Sequence, residues 1–259
     1  MSNYSKACCS IPPVISSGYE TKGKYITLNG MKTYVTGPES AQEAILVVYD
    51  IFGFFPQTLQ GADIVSTSDP DRKYRVFMPD FFDGSPANIS WYPPQTEEHQ
   101  QNLSQFFQTK APPPNTLPRI PGVLEEANKL APGGAGFKSW GMMGYCWGGK
   151  ITSLAAGRDS LFRAAVQCHP AMVDPKDAES VTIPMALLAS MDEEVDVIEQ
   201  YKKNLKVPNL VQTWPTQIHG WMAARGDLAN PEVKKEYENG YKTVLAFFHE
   251  HMPGTTSKI

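Results

Sequence analysis

The stretch Lys138–Gly149 reads KSWGMMGYCWGG. It is a strand-like run, Lys138–Met143, followed by Gly144-Tyr145-Cys146-Trp147-Gly148-Gly149 and then a helix-compatible segment. A glycine two positions to each side of one reactive residue, at a strand-to-helix junction, marks a turn so tight that a Cβ at either flank strikes strand or helix. The residue between them is held in strained φ/ψ with its side chain presented at the strand end. That residue is Cys146, a thiol where the pattern usually has a serine. With 20 Gly and 4 Cys in 259 residues, a chance GxCxG is expected about 0.02 times per chain. Cys146 is therefore read as a nucleophile rather than as a buried structural thiol.

The surrounding chain alternates strand and helix. KYITL-NG-MKTYV is a hairpin, its Asn29-Gly30 suited to the positive φ values of a type I′ turn. Ala44–Tyr49 is a continuous apolar run, as a parallel strand buried on both faces requires. The pattern continues with a helix at Thr58–Ser66, a strand at Tyr74–Met78, helices within Thr96–Gln108 and Arg119–Lys129, the Lys138–Met143 strand and a helix at Lys150–Gly157. Strands at Ala164–Gln167 and Met185–Ala189 follow, then a helix at Val195–Asn204, a strand at Leu210–Thr213 and a last helix capped by Asn230 with Pro231 in its first turn. This is an α/β chain with a mostly parallel central sheet flanked by helices and an antiparallel hairpin at its N-terminal edge. One domain is expected over residues 18–259, preceded by an N-terminal extension, 1–17. Open sheets of this kind hold ligands at the carboxyl ends of their strands.

Two further residues fall at such ends in the order nucleophile, acid, histidine. Strand Met185–Ala189 runs into SMDEEVD, where Asp192 is the first acid and Glu194 and Asp196 are near enough to substitute for it. Strand Leu210–Thr213 is followed by Ile218-His219-Gly220-Trp221, so His219 is the candidate base; His99, His249 and His251 belong to helices. The backbone N–H groups of Trp147 and Ile51 are the expected oxyanion donors. In the early loop YDIFGFF, Asp50 directly follows a buried strand and should face the site, and Phe52 should help wall it off. Trp221 and His169, the latter in QCHPAMVDP after another strand, are candidate pocket residues.

Composition narrows the function further. The chain carries 23 Lys+Arg and 27 Asp+Glu, a net charge of −4, with no basic stripe, so the electrostatic footprint of nucleic-acid binding is missing. No apolar run approaches the 18–20 residues of a membrane helix, and MSNYSKACCSIPP does not read as a secretory leader. A cytoplasmic, membrane-free protein is expected. Four cysteines in such a chain do not suggest a disulfide framework, and the adjacent Cys8 and Cys9 read as inert.

DIFG (Asp50–Gly53), Pro79-Asp80-Phe81-Phe82, GYCWGG, the acid loop at Asp192 and His219-Gly220-Trp221 together resemble the dienelactone hydrolase (carboxymethylenebutenolidase-like) family of the α/β-hydrolase fold. The opening CCSIPP and the length are similar to its fungal cytosolic branch. The resemblance implies a Cys146–His219–Asp192 triad that cleaves an ester or enol lactone through a thioester, without a metal or organic cofactor and with a small molecule as its partner. It also implies an arginine for a substrate carboxylate, for which Arg225 is the first candidate and Arg119 the second. Bacterial members carry Glu in place of Asp50, so the contact between this carboxylate and the thiol is expected to be weaker here. Two other readings fit the same residues: a general short-chain carboxylesterase or thioesterase, and a non-catalytic redox-sensing or binding protein that uses Cys146.

Overall fold

The computed structural model describes residues 15–252; Cys8 and Cys9, and most of the expected extension, lie outside them. Asn29 and Gly30 both take positive φ, 48° and 74°, and turn β1 (Lys24–Leu28) back antiparallel on β2 (Met31–Thr36). β2 continues antiparallel onto β4 (Tyr74–Pro79), the neighbour of β3 (Glu43–Val48). All later pairings are parallel. The eight strands run in the order β1-β2-β4-β3-β5-β6-β7-β8, with β5 at Ser139–Tyr145, β6 at Ala164–Cys168, β7 at Met185–Ala189 and β8 at Asn209–Thr213. Every residue of β3, β4, β6 and β7 is buried, which is why these strands are mostly apolar, Glu43, Arg75 and Gln167 apart. The outer strand β8 is half-open.

Helices α1 (Pro56–Thr67), α2 (Glu97–Thr109), α3 (Ile120–Asn128), α4 (Trp147–Ala155), α5 (Val195–Asn204) and α6 (Pro231–His251) accompany the sheet. Residues three apart in a strand face opposite sides, and β5 shows what covers each. A Cβ on Gly141 meets Phe248 and Met252 at the end of α6, whereas one on Gly144 meets α4. The main core lies around β3, β4 and β5, and a smaller one packs Leu187 and Ala189 of β7 against Ile198 and Tyr201 of α5. Asn230 caps α6 as expected, its side chain accepting from Glu232 N–H at 2.9 Å. The helix after the cysteine starts earlier than its sequence suggests, at Trp147 rather than Lys150, because the elbow forces two poor helix formers, Gly148 and Gly149, into its first turn.

Candidate active site

The turn between β5 and α4 holds Cys146 at φ 53°, ψ −113°, a conformation that costs a non-glycine residue about 1–3 kcal/mol. Its neighbours leave no alternative. A Cβ at position 144 would come within 2.0 Å of the Gly148 carbonyl oxygen, and one at position 148 within 2.1 Å of the Val48 carbonyl oxygen. The Cys146 N–H donates to the Cys168 carbonyl at 3.0 Å, and its own carbonyl accepts from Gly149 and Ala171 N–H at 3.0 and 2.9 Å. The Cys146 backbone is thus pinned to the end of β6 while its side chain lines a cavity of about 400 Å³.

His219 lies on the loop after β8 and lines the same cavity. A backbone bond from Met191 N–H to the Gln217 carbonyl, 2.8 Å, ties this loop to the one after β7. The acid that meets the ring is not the expected Asp192. His219 Nδ1 is 2.6 Å from Glu193 Oε1, whose carboxylate is also held by the backbone N–H and the hydroxyl of Ser190. Asp192 instead accepts the backbone N–H of His219 at 2.7 Å. The strand end directs the first acid to the histidine's backbone, and the second, one methylene longer, reaches its ring. Glu194 and Asp196 are exposed and bond to neither.

Burial opposes charge on the His219 ring, but the nearby Cys146 sulfur and the Glu193 carboxylate outweigh it and push its pKa up to about 11. The arrangement favours an imidazolium between a sulfur and a carboxylate. Asp50, buried at the floor of the cavity, is pushed up to about 6 by desolvation; the opposing effects are bonds from Phe52 N–H (2.9 Å) and Ala224 N–H (3.3 Å) and the nearby His219. Both carboxylate oxygens are therefore occupied by backbone donors.

The expected oxyanion donors are free to act. Trp147 N–H opens α4, where no preceding turn supplies a carbonyl, and neither it nor Ile51 N–H donates in any turn, loop or cap hydrogen bond among the described residues. The Trp147 side chain is buried, its Nε1 donating to the Ala111 carbonyl at 2.7 Å.

Phe52 and Arg225 line the cavity; Trp221 and His169 do not. Trp221 turns inward and stacks on Trp214, ring centroids 5.2 Å apart. His169 is wholly buried with φ 37°, a turn of the backbone that points its ring under the site. There it packs against Tyr145 at 5.8 Å and edgewise on His219 at 5.2 Å, with neither ring nitrogen hydrogen-bonded. Burial drives its pKa well below the usual histidine range. Arg225 donates from Nη1 to the His219 carbonyl at 2.6 Å and lies 4.7 Å over the Tyr92 ring. It forms no ion pair among the described residues, whereas Arg119 is paired with Asp83 at 2.6 Å outside the cavity. Tyr92, from a proline-rich loop between β4 and β5, and Phe107, on α2, complete the wall; the pattern that predicts α2 does not show that Phe107 turns to the cavity.

Behind the site, the Tyr145 hydroxyl is 2.6 Å from that of Tyr241 on α6, which donates to the Met222 carbonyl at 3.0 Å. A possible ligand cluster, Asp69, Asp71 and His249, lies away from the cavity, where Asp69 anchors His249 at 2.7 Å. No helix among the described residues is long and apolar enough to cross a membrane.

A strained cysteine on a strand-to-helix turn, a histidine backed by a carboxylate and a mostly parallel sheet define an α/β-hydrolase-type enzyme. The chain belongs to the dienelactone hydrolase family, whose model matches residues 31–252, and it is a hydrolase. An AIM2 family protein of Schizosaccharomyces pombe is 34% identical over 244 residues, 92% of this chain and 94% of that one. A carboxymethylenebutenolidase homolog of Xenopus tropicalis is 27% identical over 262 residues, covering 97% and 100% of the two chains. The crystal structure of a dienelactone hydrolase from Anabaena variabilis shares the fold with a TM-score of 0.61 at 14% identity, over 90% of this chain and 98% of that one.

Proposed function

We propose that the protein hydrolyses esters or enol lactones of small molecules through a thioester on Cys146, with His219 as the proton carrier and Glu193 as the acid that orients it. The observation that carries this reading is the 2.6 Å contact between Glu193 Oε1 and His219 Nδ1, on a ring that lines the same cavity as the strained Cys146. The thiolate attacks the carbonyl carbon, and the N–H groups of Ile51 and Trp147 receive the developing oxyanion, a contribution of about 3–4 kcal/mol per donor in comparable sites. Collapse of the tetrahedral intermediate breaks the C–O bond, and the His219 imidazolium gives its proton to the leaving oxygen. The neutral imidazole then takes a proton from water, whose hydroxide adds to the thioester and releases the acid and the thiolate. A thiolate is a better leaving group than an amine, so esters and lactones turn over and amides do not.

Arg225, which lines the cavity and forms no ion pair among the described residues, is the residue for a substrate carboxylate, since a guanidinium offers a fork of donors that stays charged. No step calls on a metal or organic cofactor, and the reaction suits a cytoplasmic enzyme acting on soluble substrates.

The test is the intact mass of the protein quenched during turnover of an activated ester. It should show one acyl adduct, absent in Cys146→Ala, which should keep its fold and less than about 1% of the rate; His219→Ala should lose several orders of magnitude. Rapid alkylation of Cys146 with no ester turnover would place the protein among thiol sensors instead.

A further inference from the structure

The cavity is wider than the reaction centre needs, and its two sides differ in kind. Cys146 directly follows β5, so in the strand order β3 with its loop lies to one side and β6 and β7 to the other. On the β3 side the wall is aromatic, with Phe52 and Tyr92, and carries the Arg225 cation. On the β6–β7 side it is aliphatic: Met172 and Val173 from the loop after β6 face Val197 and Ile198 from the first turn of α5. Met172 lines the cavity yet is 47% exposed, and Val195, the first residue of α5 and two positions before the lining Val197, is 69% exposed. These are apolar surfaces without a protein partner at the mouth of a cleft.

Apart from the Glu193–His219 pair, the charged side chains lining this side are acids. Asp192 and Glu194 line it and Asp196 is exposed next to them, while the only Lys or Arg in the lining is Arg225. An anion is repelled there and a neutral hydrocarbon is not. The total volume of about 400 Å³ falls within the range of about 300–1,000 Å³ that holds drug-sized ligands, and a compact lactone ring leaves much of it unfilled.

We propose that the β6–β7 side is a subsite for an uncharged aliphatic chain of the substrate, carried on either the acyl or the alcohol part of the ester and read by Met172, Val173 and Val197. The inference rests on Cys146 being the acyl acceptor and adds the substrate class: amphiphilic esters, with a polar or anionic end at Arg225 and a hydrocarbon arm under α5. Each methylene taken from water into such an arm favours binding about threefold to fourfold. Arms ending in a carboxylate lose that gain beside Asp192 and Glu194.

The experiment compares two ester series, p-nitrophenyl acetate, butyrate and hexanoate on the acyl side, and methyl, propyl and pentyl esters of one acid on the alcohol side. In at least one series kcat/KM should rise about tenfold for the first two added methylenes. The variant Val197→Asp places an acid in the first turn of α5, where the helix dipole favours it, so the helix should form. It should lower the long-to-short ratio of kcat/KM at least tenfold. Two flat or falling series, or a ratio unchanged in Val197→Asp, overturn the subsite. Calorimetric titration of Cys146→Ala with hexanamide and acetamide separates the two readings. Tighter binding of hexanamide without ester turnover in the wild type removes the proposed reaction and keeps the arm, whereas equal binding of the two amides removes the arm.

Discussion

Glu193 Oε1 meets His219 Nδ1 at 2.6 Å, while the residue before it, Asp192, holds the backbone N–H of the same histidine at 2.7 Å. Two adjacent acids thus grip one histidine at different points, and their substitutions should separate. Glu193→Gln keeps the shape but removes the carboxylate that fixes the tautomer and stabilises the imidazolium, so kcat should fall about 10³-fold or more. Asp192→Asn keeps an acceptor for the N–H and should cost less than about tenfold. The reverse ranking in steady-state kinetics would return the role to Asp192.

Asp50 should reveal itself through pH. Its carboxyl is raised by burial to about 6 from an unfolded value near 3.9, so between these values the folded protein holds more protons than the unfolded chain. Stability from this group falls as pH rises through that window, and above it the buried anion costs about 2–3 kcal/mol. Asp50→Asn removes the term, and its stability relative to wild type should be more favourable at pH 8 than at pH 4 by about that amount in urea unfolding. An advantage that does not grow with pH would count against the buried anion.

The same substitution tests the thiol. Both Asp50 oxygens are engaged by the N–H groups of Phe52 and Ala224, so the carboxylate has little left to restrain Cys146. Iodoacetamide should alkylate the resting enzyme rapidly at neutral pH and Asp50→Asn only a few-fold faster. An acceleration beyond about tenfold, roughly 1.4 kcal/mol in the barrier, would show that Asp50 does restrain the thiol.

Arg225 combines two tasks that kinetics can divide. Its Nη1 bond to the His219 carbonyl bears on every substrate, whereas the anion-binding role proposed for its guanidinium at the cavity wall bears only on anionic ones. Arg225→Ala should lower kcat modestly for neutral and anionic esters alike and raise KM at least tenfold only for the anionic ones. A uniform rise in KM would leave Arg225 with the loop alone.

His169 contributes a ring surface rather than hydrogen bonds, since both nitrogens lie buried without partners, a cost of about 1–3 kcal/mol for each such group. His169→Phe should therefore be at least as stable as wild type and keep kcat within about fivefold. His169→Ala, which opens a cavity beneath His219, should lose about 2–4 kcal/mol and much of kcat. Thermal unfolding and kinetics on the pair would decide it.

The sequence announces some of these residues and hides others for definable reasons. The elbow is legible because only glycine fits at 144 and 148, and the strands because burial on both faces leaves no room for alternation. The choice among Asp192, Glu193, Glu194 and Asp196 is not legible, since it turns on a few dihedral angles and one methylene. His169 and Trp221 follow strands or site residues as pocket groups do, yet backbone turns send both rings inward. Tyr92 comes from a proline-rich loop whose path over the cavity no local pattern records, and the pattern that predicts α2 does not show that Phe107 turns to the cavity.

The Tyr145–Tyr241–Met222 chain ties α6 to the residues around both Cys146 and His219 although no residue of α6 lines the cavity. One hydroxyl pair joins the residue before Cys146 to a helix on the opposite face, and the same helix grips the backbone three residues beyond His219. Cys146 and His219, 73 positions apart in sequence, are thereby gauged against a common post. Their spacing is a property of how α6 seats on the sheet, so a change near residue 241, far from any reacting atom, reaches both partners at once.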